Sequence, residues 1–405
     1  MSVRKRKWTT GKGHAREAWV VDYVDGKKTR RLKTFTKKKD ADAFAATASV
    51  EVRKGTHVAD SASVTVKEAG DNWIATARAA DLERATIAQY QQHLDYHIEP
   101  FIGGARLSQL SAPAVRAFED RLRQEGRSKA MIGKVIRSLG SLLADAQEQG
   151  LVAHNAVREL SRRRRGGKNG HADGRQKGKL EVGVDIPTNG EIKTIVHNVE
   201  GPWRPLIVTA IFSGLRASEL RGLAWDNVDF EKGVVRVRQR ADRYKQIGPP
   251  KSKASSRDVP LSPLTLNTLR EWKLKCPKGD LDLVFPNGKG NVESLANIIN
   301  RGLAPPQIKA GITITRIDEE GAPVLDENGS PVMIAKYRGM HALRHFYASW
   351  CINRKEDGGI GLPPKMVQER LGHSSITMTM DVYGHLFPSD DNAKELAAAE
   401  HALLA

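Results

Sequence analysis

Apolar residues recur every three or four positions between residues 64 and 160, which is the spacing of one face of an α-helix. The runs that show it are Ile87, Tyr90, Leu94 and Ile98; Val115, Phe118 and Leu122; and Ile132, Val135, Ile136, Leu139, Leu142 and Leu143. Thr65 and Glu68 have the spacing of a capping box before the first helix, and Ser128 is a candidate N-cap for the last. This section is therefore predicted to be a compact module of four helices.

The first 60 residues follow a pattern that is typical of a small sheet followed by one helix. Ala18–Val24 is rich in the β-branched and aromatic residues that favour strands, and Asp25–Gly26 is a strong signal for a hairpin turn. A second strand follows the turn, and a helix is predicted from about Lys38 to Lys54. Residues 1–60 are therefore predicted to form a small β-sheet and helix domain.

The third section, residues 186–405, returns to helical spacing and contains two short strands. Thr188 and Glu191 again have capping-box spacing, and VVRVRQR (234–240) and RDVPL (257–261) are predicted to pair as antiparallel strands. Two Gly turns within 312–337 predict an inserted hairpin, to which the sequence assigns no chemistry. The predicted fold class is mainly α with small β-sheets (α+β), in a chain of several domains.

Residues 161–185, SRRRRGGKNGHADGRQKGKLEVGVD, contain almost no apolar side chains, so a flexible basic linker is predicted between the second and third sections. The whole chain has 65 Lys and Arg against 47 Asp and Glu, a formal net charge of +18. Residues 1–60 alone contribute +9, from 16 basic and 7 acidic side chains. A basic surplus concentrated at one end of the chain is typical of a protein that binds nucleic acid.

The basic residues predicted to contact DNA fall in two groups, one on the N-terminal strands and one in the linker. They are Lys27, Lys28, Arg30, Arg31 and Lys33, and Arg162, Arg163, Arg164 and Arg165. A basic hairpin that is merely solvated is the alternative for the first group. The two cysteines, Cys276 and Cys351, lack metal-ligand spacing and indicate a reducing compartment. No membrane span or secretory signal is evident, so a soluble cytoplasmic protein is predicted.

Several residues of the third section have side chains suited to chemistry on an anion. Arg216 follows a Gly turn and precedes Glu219 by three residues, so a carboxylate is placed to orient a guanidinium for bidentate contact with phosphate. In HALRH, the residues His341, Arg344 and His345 share one helical face. Two histidines four apart also suit zinc, but no third ligand has convincing spacing, so no metal is predicted.

Lysine and tyrosine complete this set of residues. Lys251 and Lys253 are predicted at an exposed turn between the two strands, from which an ammonium group could reach a bound substrate. Tyr383 follows His373 by ten residues. A tyrosine has a pKa of about 10, so it needs neighbouring cations or a base before it can act as a nucleophile. Each residue taken alone is more often structural, and their order along the chain is the informative feature.

This order resembles that of the tyrosine recombinases, and in particular the lambda-type integrases of phages and integrative elements, which carry an N-terminal arm-binding domain. The segments that carry the resemblance are SGLRASEL, KSKASSRDVPL, HALRH and LGHSSITMTMDVYGH. The resemblance implies an arm-type DNA-binding domain at 1–60, a core-site-binding domain at 64–160 and a catalytic domain at 186–405. It also implies a site-specific recombinase that integrates and excises a prophage or other mobile element in a bacterial cytoplasm.

The resemblance further implies a role for each residue. Tyr383 would attack the scissile phosphate and form a 3′-phosphotyrosyl link, Arg216 and Arg344 would bind the non-bridging oxygens, and His341 would act as base or acid. Lys251 would protonate the leaving 5′-oxygen, although Lys253 remains an alternative. His373 would donate a hydrogen bond to the phosphate, and Glu219 and His345 would be supporting residues. Because the phosphotyrosyl bond conserves the energy of the cleaved phosphodiester, neither a cofactor nor ATP is expected.

The expected partners are double-stranded DNA at attachment sites, three further copies of the chain in a tetramer, and an excisionase or a host DNA-bending protein. A chromosome-dimer resolvase or type IB topoisomerase is an alternative within the same chemistry, although the basic N-terminal section favours an integrase. A catalytically silent DNA-binding regulator is a second alternative, although it would lack the nucleophile or an arginine. A metal-dependent nuclease would require an acidic cluster, which the sequence does not show.

Overall fold

The computed structural model describes the chain except for residues 10, 12–13, 27, 167–178, 319, 388–392 and 405, and describes only the backbone of 162–166, 393–395 and 398–399. The chain is about 51% helical with small sheets, which confirms the predicted fold class. It divides into two compact units, Met1–Gln176 and Lys177–Ala405. No helix in these described ranges is long and apolar enough to cross a membrane.

The first unit begins with a three-stranded antiparallel sheet that packs against one helix. Its elements are β1 (Ser2–Thr9), β2 (Ala15–Val24), β3 (Arg30–Phe35) and α1 (Lys38–Lys54), with the strands in the order β1–β2–β3. Val21 and Tyr23 of β2 are buried against Ala41 of α1. The strand β1 was not predicted, because the basic run of residues 4–7 gives no apolar alternation.

The rest of the first unit is a helical module around its own apolar core. Its helices are α2 (Val66–Ala79), α3 (Arg84–His93), α4 (Glu99–Ile102), α5 (Ala112–Gln124), α6 (Lys129–Glu148) and α7 (Ala156–Gly166). The capping box of Thr65 and Glu68 is present, as predicted, and Ser128 caps α6. Helix α7 continues to Gly166, six residues into the segment predicted as a linker, because arginine has a high helix propensity. Residues 167–178 of that segment lie outside the described residues, so the linker stays a prediction.

The second unit combines helices with three small antiparallel sheets among its described residues. Its helices are α8 (Asn189–Asn198), α9 (Trp203–Ser213), α10 (Ala217–Arg221), α11 (Pro263–Lys273), α12 (Leu295–Asn297), α13 (Ala304–Lys309), α14 (His341–Ile352), α15 (Pro364–Leu371), α16 (Ile376–Tyr383) and α17 (Ala393–Leu404). Its first strands are β4 (Val228–Asp229), β5 (Val234–Val237), β6 (Arg240–Ala241), β7 (Ile247–Gly248) and β8 (Arg257–Pro260). The predicted strands pair through Val235 and Val259, and the capping box of Thr188 and Glu191 is present.

The predicted hairpin insertion is formed by β9 (Thr313–Thr315) and β10 (Met333–Ala335), which pair antiparallel. Between them the sequence IDEEGAPVLDENGSPV contains two copies of an eight-residue pattern. Asp318 and Asp326 occupy the same place in each copy, and each carboxylate accepts hydrogen bonds from two backbone N–H groups of its own turn. The repeat therefore builds two equivalent turns.

Candidate active site

Arg344 lies in the interior of the second unit, one turn into α14. Its side chain donates hydrogen bonds of 2.5 Å to two backbone carbonyls. One is that of Gly214, which follows α9, and the other is that of Leu371, the last residue of α15. Carbonyls at helix C-termini have no partner within their own helix, so a buried cation satisfies them well. Burial, together with the charge of Arg216, lowers the pKa of Arg344 to about 9, so the guanidinium remains charged at neutral pH.

Glu219 on α10 holds two arginines at the edge of the same site. Its carboxylate accepts hydrogen bonds from Arg216 Nη1 at 2.8 Å and from Arg257 at 3.2 and 2.9 Å, and it also accepts from the backbone N–H of Arg216. Burial would raise the pKa of Glu219, but Arg257 and Arg216 lower it below its usual value. The carboxylate is therefore ionised, and it fixes the fork of Arg216, which is about one-third exposed.

Arg257, at the start of β8, was not identified from the sequence. Its guanidinium also donates to the carbonyls of Arg370 and Ser255, so it joins β8 to α10 and α15. The sequence contained a signal for it, because Arg257 is two residues from the buried Val259 in RDVPL. Residues two apart on a strand point to the same side of the sheet. Gly372 has a φ of +63° and leaves room beside this guanidinium that a Cβ atom would fill.

Three histidines surround the site, and the structure lowers the pKa of each. Burial is the main cause in every case, and the neighbouring charge of Arg344 adds to it. The pKa falls to about 4 for His345 and for His373. At neutral pH these imidazoles are therefore uncharged and able to accept a proton. His373 Nδ1 is 2.9 Å from Thr379 Oγ1, which fixes the orientation of its ring.

Tyr383 ends α16 and is buried, with 2% of its surface exposed. Its hydroxyl oxygen lies 2.7 Å from Nδ1 of His345, and its ring is nearly parallel to the ring of His373, with centroids 6.3 Å apart. Burial raises the pKa of Tyr383 to about 12, although Arg344 and Arg216 act in the opposite direction. The tyrosine is therefore protonated in the free protein and has a base within hydrogen-bond distance.

Six of the predicted residues thus converge with Glu219 on one site, and Lys251 does not. The six are Arg216, His341, Arg344, His345, His373 and Tyr383. Lys251 and Lys253 are both exposed in the segment between β7 and β8. Within the described part of the chain, no hydrogen bond or ion pair connects either lysine to the site. The described residues also contain no group of three or more His, Cys, Asp and Glu side chains placed to hold a metal ion.

The predicted DNA-binding residues of the sheet lie on two different faces. Alternation along the strands puts Arg31 and Lys33 on the face that packs against α1, where Arg31 is paired with Asp25 and Lys33 with Asp60. The opposite face carries Arg30 together with three arginines that sequence reasoning missed: Arg4, Arg6 and Arg16. Lys28 is exposed at the turn.

The remaining predicted DNA contacts lie in or near parts that the structure does not describe. Lys27 lies outside the described residues. The last turns of α7 carry Arg162, Arg163, Arg164 and Arg165, and the structure describes only the backbone of these four residues. The face formed by Arg4, Arg6, Arg16 and Arg30 is a basic surface of the first unit whose side chains the structure describes, and Asp22 on the same face accepts hydrogen bonds from Arg4 and Arg30.

The profile of the phage integrase family matches residues 188–389, which include every residue of the site. A tyrosine recombinase XerC-like protein of Caldanaerobacter subterraneus subsp. tengcongensis is 27% identical, over 93% of this chain and 94% of its own length. The prophage integrase IntR of Escherichia coli strain K12 is 24% identical, over 68% of this chain and 62% of its own length.

A solved structure of the Tn1549 transposon integrase, in complex with a circular intermediate DNA, has a similar fold. The TM-score is 0.60, with 20% sequence identity, and the alignment covers 85% of this chain and 100% of that one. The family profile therefore covers the residues of the site, and the solved structure shows a similar fold over most of the chain.

Proposed function

Because the chain belongs to the phage integrase family of tyrosine recombinases, enzymes that cleave and rejoin DNA strands, we propose that it integrates and excises a mobile DNA element. The observation that carries this proposal is the position of Tyr383. Its hydroxyl is hydrogen-bonded to a neutral histidine of α14, the helix that also carries Arg344. A nucleophile, a proton acceptor and fixed positive charge are what phosphoryl transfer to a protein side chain requires.

In the proposed reaction Tyr383 attacks the scissile phosphate and forms a 3′-phosphotyrosyl bond, while the 5′-oxygen leaves. Arg216 and Arg344 bind the non-bridging oxygens, since their guanidinium groups are oriented by Glu219 and by helix-terminal carbonyls. His373 donates a hydrogen bond to the phosphate, and His341 exchanges protons with it. Lys251 protonates the leaving oxygen, with Lys253 as the alternative donor.

An integrase role, rather than the resolution of chromosome dimers, is favoured by the basic face of the first unit. Arg4, Arg6, Arg16 and Arg30 lie on one side of the sheet, and a positively charged sheet face suits the phosphates that flank a DNA groove. The relatives with integrase names agree with this role. We propose that four protomers act together on two attachment sites, as the family resemblance implies.

The proposal is tested by trapping the covalent intermediate on DNA that carries the ends of the element, in EDTA and without ATP. Wild-type protein is expected to form a denaturant-resistant adduct and to leave a free 5′-hydroxyl. Tyr383→Phe, which keeps the ring and loses the nucleophile, is expected to bind the same DNA without forming an adduct. If both proteins bind and neither forms an adduct, a DNA-binding regulator is the better description.

The integrase role has a separate test. Replacement of Arg4, Arg6, Arg16 and Arg30 by alanine is expected to leave adduct formation at an isolated core site intact, but to abolish the advantage of attachment-site DNA with its flanking sequences. A resolvase would recombine equally well before and after these substitutions.

A further inference from the structure

His345 is the side chain in contact with the nucleophile. The distance of 2.7 Å between His345 Nδ1 and the hydroxyl oxygen of Tyr383 is that of a good hydrogen bond. Tyr383 is buried and His345 is half-buried, and they come from different helices, α16 and α14. The contact is therefore made by tertiary packing, and it is in place before DNA binds.

Starting from the proposed function, we infer that His345 is the general base that takes the proton of Tyr383 during strand cleavage and returns it during religation. As the tyrosine oxygen bonds to phosphorus, its O–H bond breaks and the proton moves to Nδ1 of His345. The bond from phosphorus to the 5′-oxygen breaks, and that oxygen takes a proton from the leaving-group acid. In religation the 5′-hydroxyl attacks phosphorus and returns its proton to the leaving-group acid, which cleavage left deprotonated. The bond from phosphorus to the tyrosine oxygen breaks, and the His345 imidazolium gives its proton back to that oxygen.

The other possible bases nearby are engaged differently. His373 Nδ1 is directed to Thr379, and none of the described hydrogen bonds joins His373 to the Tyr383 hydroxyl. Glu219 is occupied by Arg216 and Arg257. Among the described contacts of the Tyr383 hydroxyl, the one that leads to a nitrogen base is the contact with His345.

The surroundings of His345 also suit a base that is regenerated in each cycle. His345 is uncharged in the free protein, because burial and the neighbouring His341 and Arg344 lower its pKa. With Nδ1 as acceptor, the neutral ring carries its proton on Nε2. A bound phosphate would offset the charge of Arg344 and thereby favour protonation of His345 at the stage when the proton must be accepted. The rings of His341 and His345 are nearly perpendicular, with centroids 4.9 Å apart. With His345 as the base, His341 remains available to the phosphate.

The decisive experiment compares His345→Asn with wild type in single-turnover adduct formation. Asparagine places an amide oxygen near the position of Nδ1, so it accepts the tyrosine hydrogen bond but cannot take the proton. The substrate is attachment-site DNA with a 5′-bridging phosphorothiolate at the scissile position, whose thiolate leaves without a general acid. A base is worth about 10²–10⁴-fold in rate. We expect His345→Asn to be at least about a hundredfold slower on this DNA and on ordinary DNA.

The pH profile separates a base from a residue that only positions the tyrosine. The cleavage rate of His345→Asn is expected to rise about tenfold per pH unit up to about pH 9, since the tyrosine must then ionise unaided. A weaker dependence is expected for wild type. His345→Gln replaces the asparagine variant if that variant does not fold, as judged by its thermal unfolding and DNA binding. His197→Asn, at an exposed histidine of α8, is the control for the loss of an imidazole.

Three results would overturn the inference. A His345→Asn cleavage rate within about threefold of wild type would show that a hydrogen-bond acceptor at this position is sufficient and that cleavage does not require a base there. A cleavage rate above that of wild type would show that the hydrogen bond between His345 and Tyr383 inhibits the nucleophile. If His345→Asn regained the wild-type cleavage rate on the phosphorothiolate DNA alone, His345 would be assigned the role of proton donor to the leaving group. Failure of wild type itself to form an adduct would instead overturn the proposed function, and the inference with it.

Discussion

The charges at the site are held in two contrasting ways. Glu219 and Arg257 have side chains that are 3% and 6% exposed, and they are joined by two hydrogen bonds. By contrast, Lys251 and Lys253 are exposed in the segment that leads into β8, only a few residues before Arg257. One region fixes its charges before DNA binds, and the other leaves them in solvent.

The difference follows from what each charge must do in the proposed reaction. An arginine that stabilises a transition state gains from being oriented beforehand in a site that excludes water, because little reorganisation is then needed. A buried arginine is stable only with a complete set of acceptors, which Glu219 and the backbone carbonyls supply. A lysine that reaches a leaving group on a bound duplex does not need a prepared place in the free protein, and exposure costs it nothing.

The largest effect is expected from breaking the buried network. Glu219→Ala leaves Arg257 without its carboxylate in the protein interior, and the loss of one partner of a buried pair costs about 3–5 kcal/mol. We expect a decrease of that size in the free energy of unfolding, measured by chemical denaturation. Glu219→Gln, which keeps the shape and one acceptor oxygen, is expected to lose less.

A matched control is the ion pair of Arg238 and Asp258, which lies beside Arg257 but has side chains that are 44% and 51% exposed. Arg238→Ala is expected to change stability by about 0–1 kcal/mol, as exposed pairs do. Equal losses for Glu219→Ala and Arg238→Ala would contradict the proposed contrast between buried and exposed charge.

The next effect concerns activity and not stability. Lys251→Ala is expected to slow cleavage about a hundredfold, the lower end of the range for general acid catalysis, and to leave the unfolding midpoint unchanged. DNA with a 5′-bridging phosphorothiolate is expected to restore the rate, because its leaving group needs no proton. Lys253→Ala is the matched variant on the same segment, and a reversed result for the two lysines would assign the role to Lys253.

The smallest effect is a dependence of stability on pH. The folded pKa of His345 is about 4 against an ordinary value of 6.5, so the unfolded chain binds more protons between these values. Stability therefore falls as the pH falls below about 6.5, and continues to fall towards about 4. Allowing for partial solvent screening, His345→Asn is expected to reduce the loss between pH 7 and pH 5 by about 1 kcal/mol. Unchanged pH dependence in thermal unfolding would contradict the assigned burial of His345.

Local signals predicted the elements that depend on local chemistry. The capping boxes at Thr65 and Thr188 are present because each involves residues only three positions apart. The helix predicted from Lys38 to Lys54 has those bounds in the structure. By contrast, β1 was missed because Arg4–Lys7 is paired through its backbone to β2, and this pairing leaves no signature in the side chains of β1 alone.

The sequence by itself determined the identity and order of the residues of the site, since the spacing of Arg216, HALRH and Tyr383 is a property of the chain. Only the tertiary structure decided which of them touch. Tyr383 and His345 are 38 positions apart, and Arg257 meets Glu219 across the same separation. Such contacts depend on how α10, α14, α16 and β8 pack around one core, and packing is a cooperative property of the whole unit that no local pattern records.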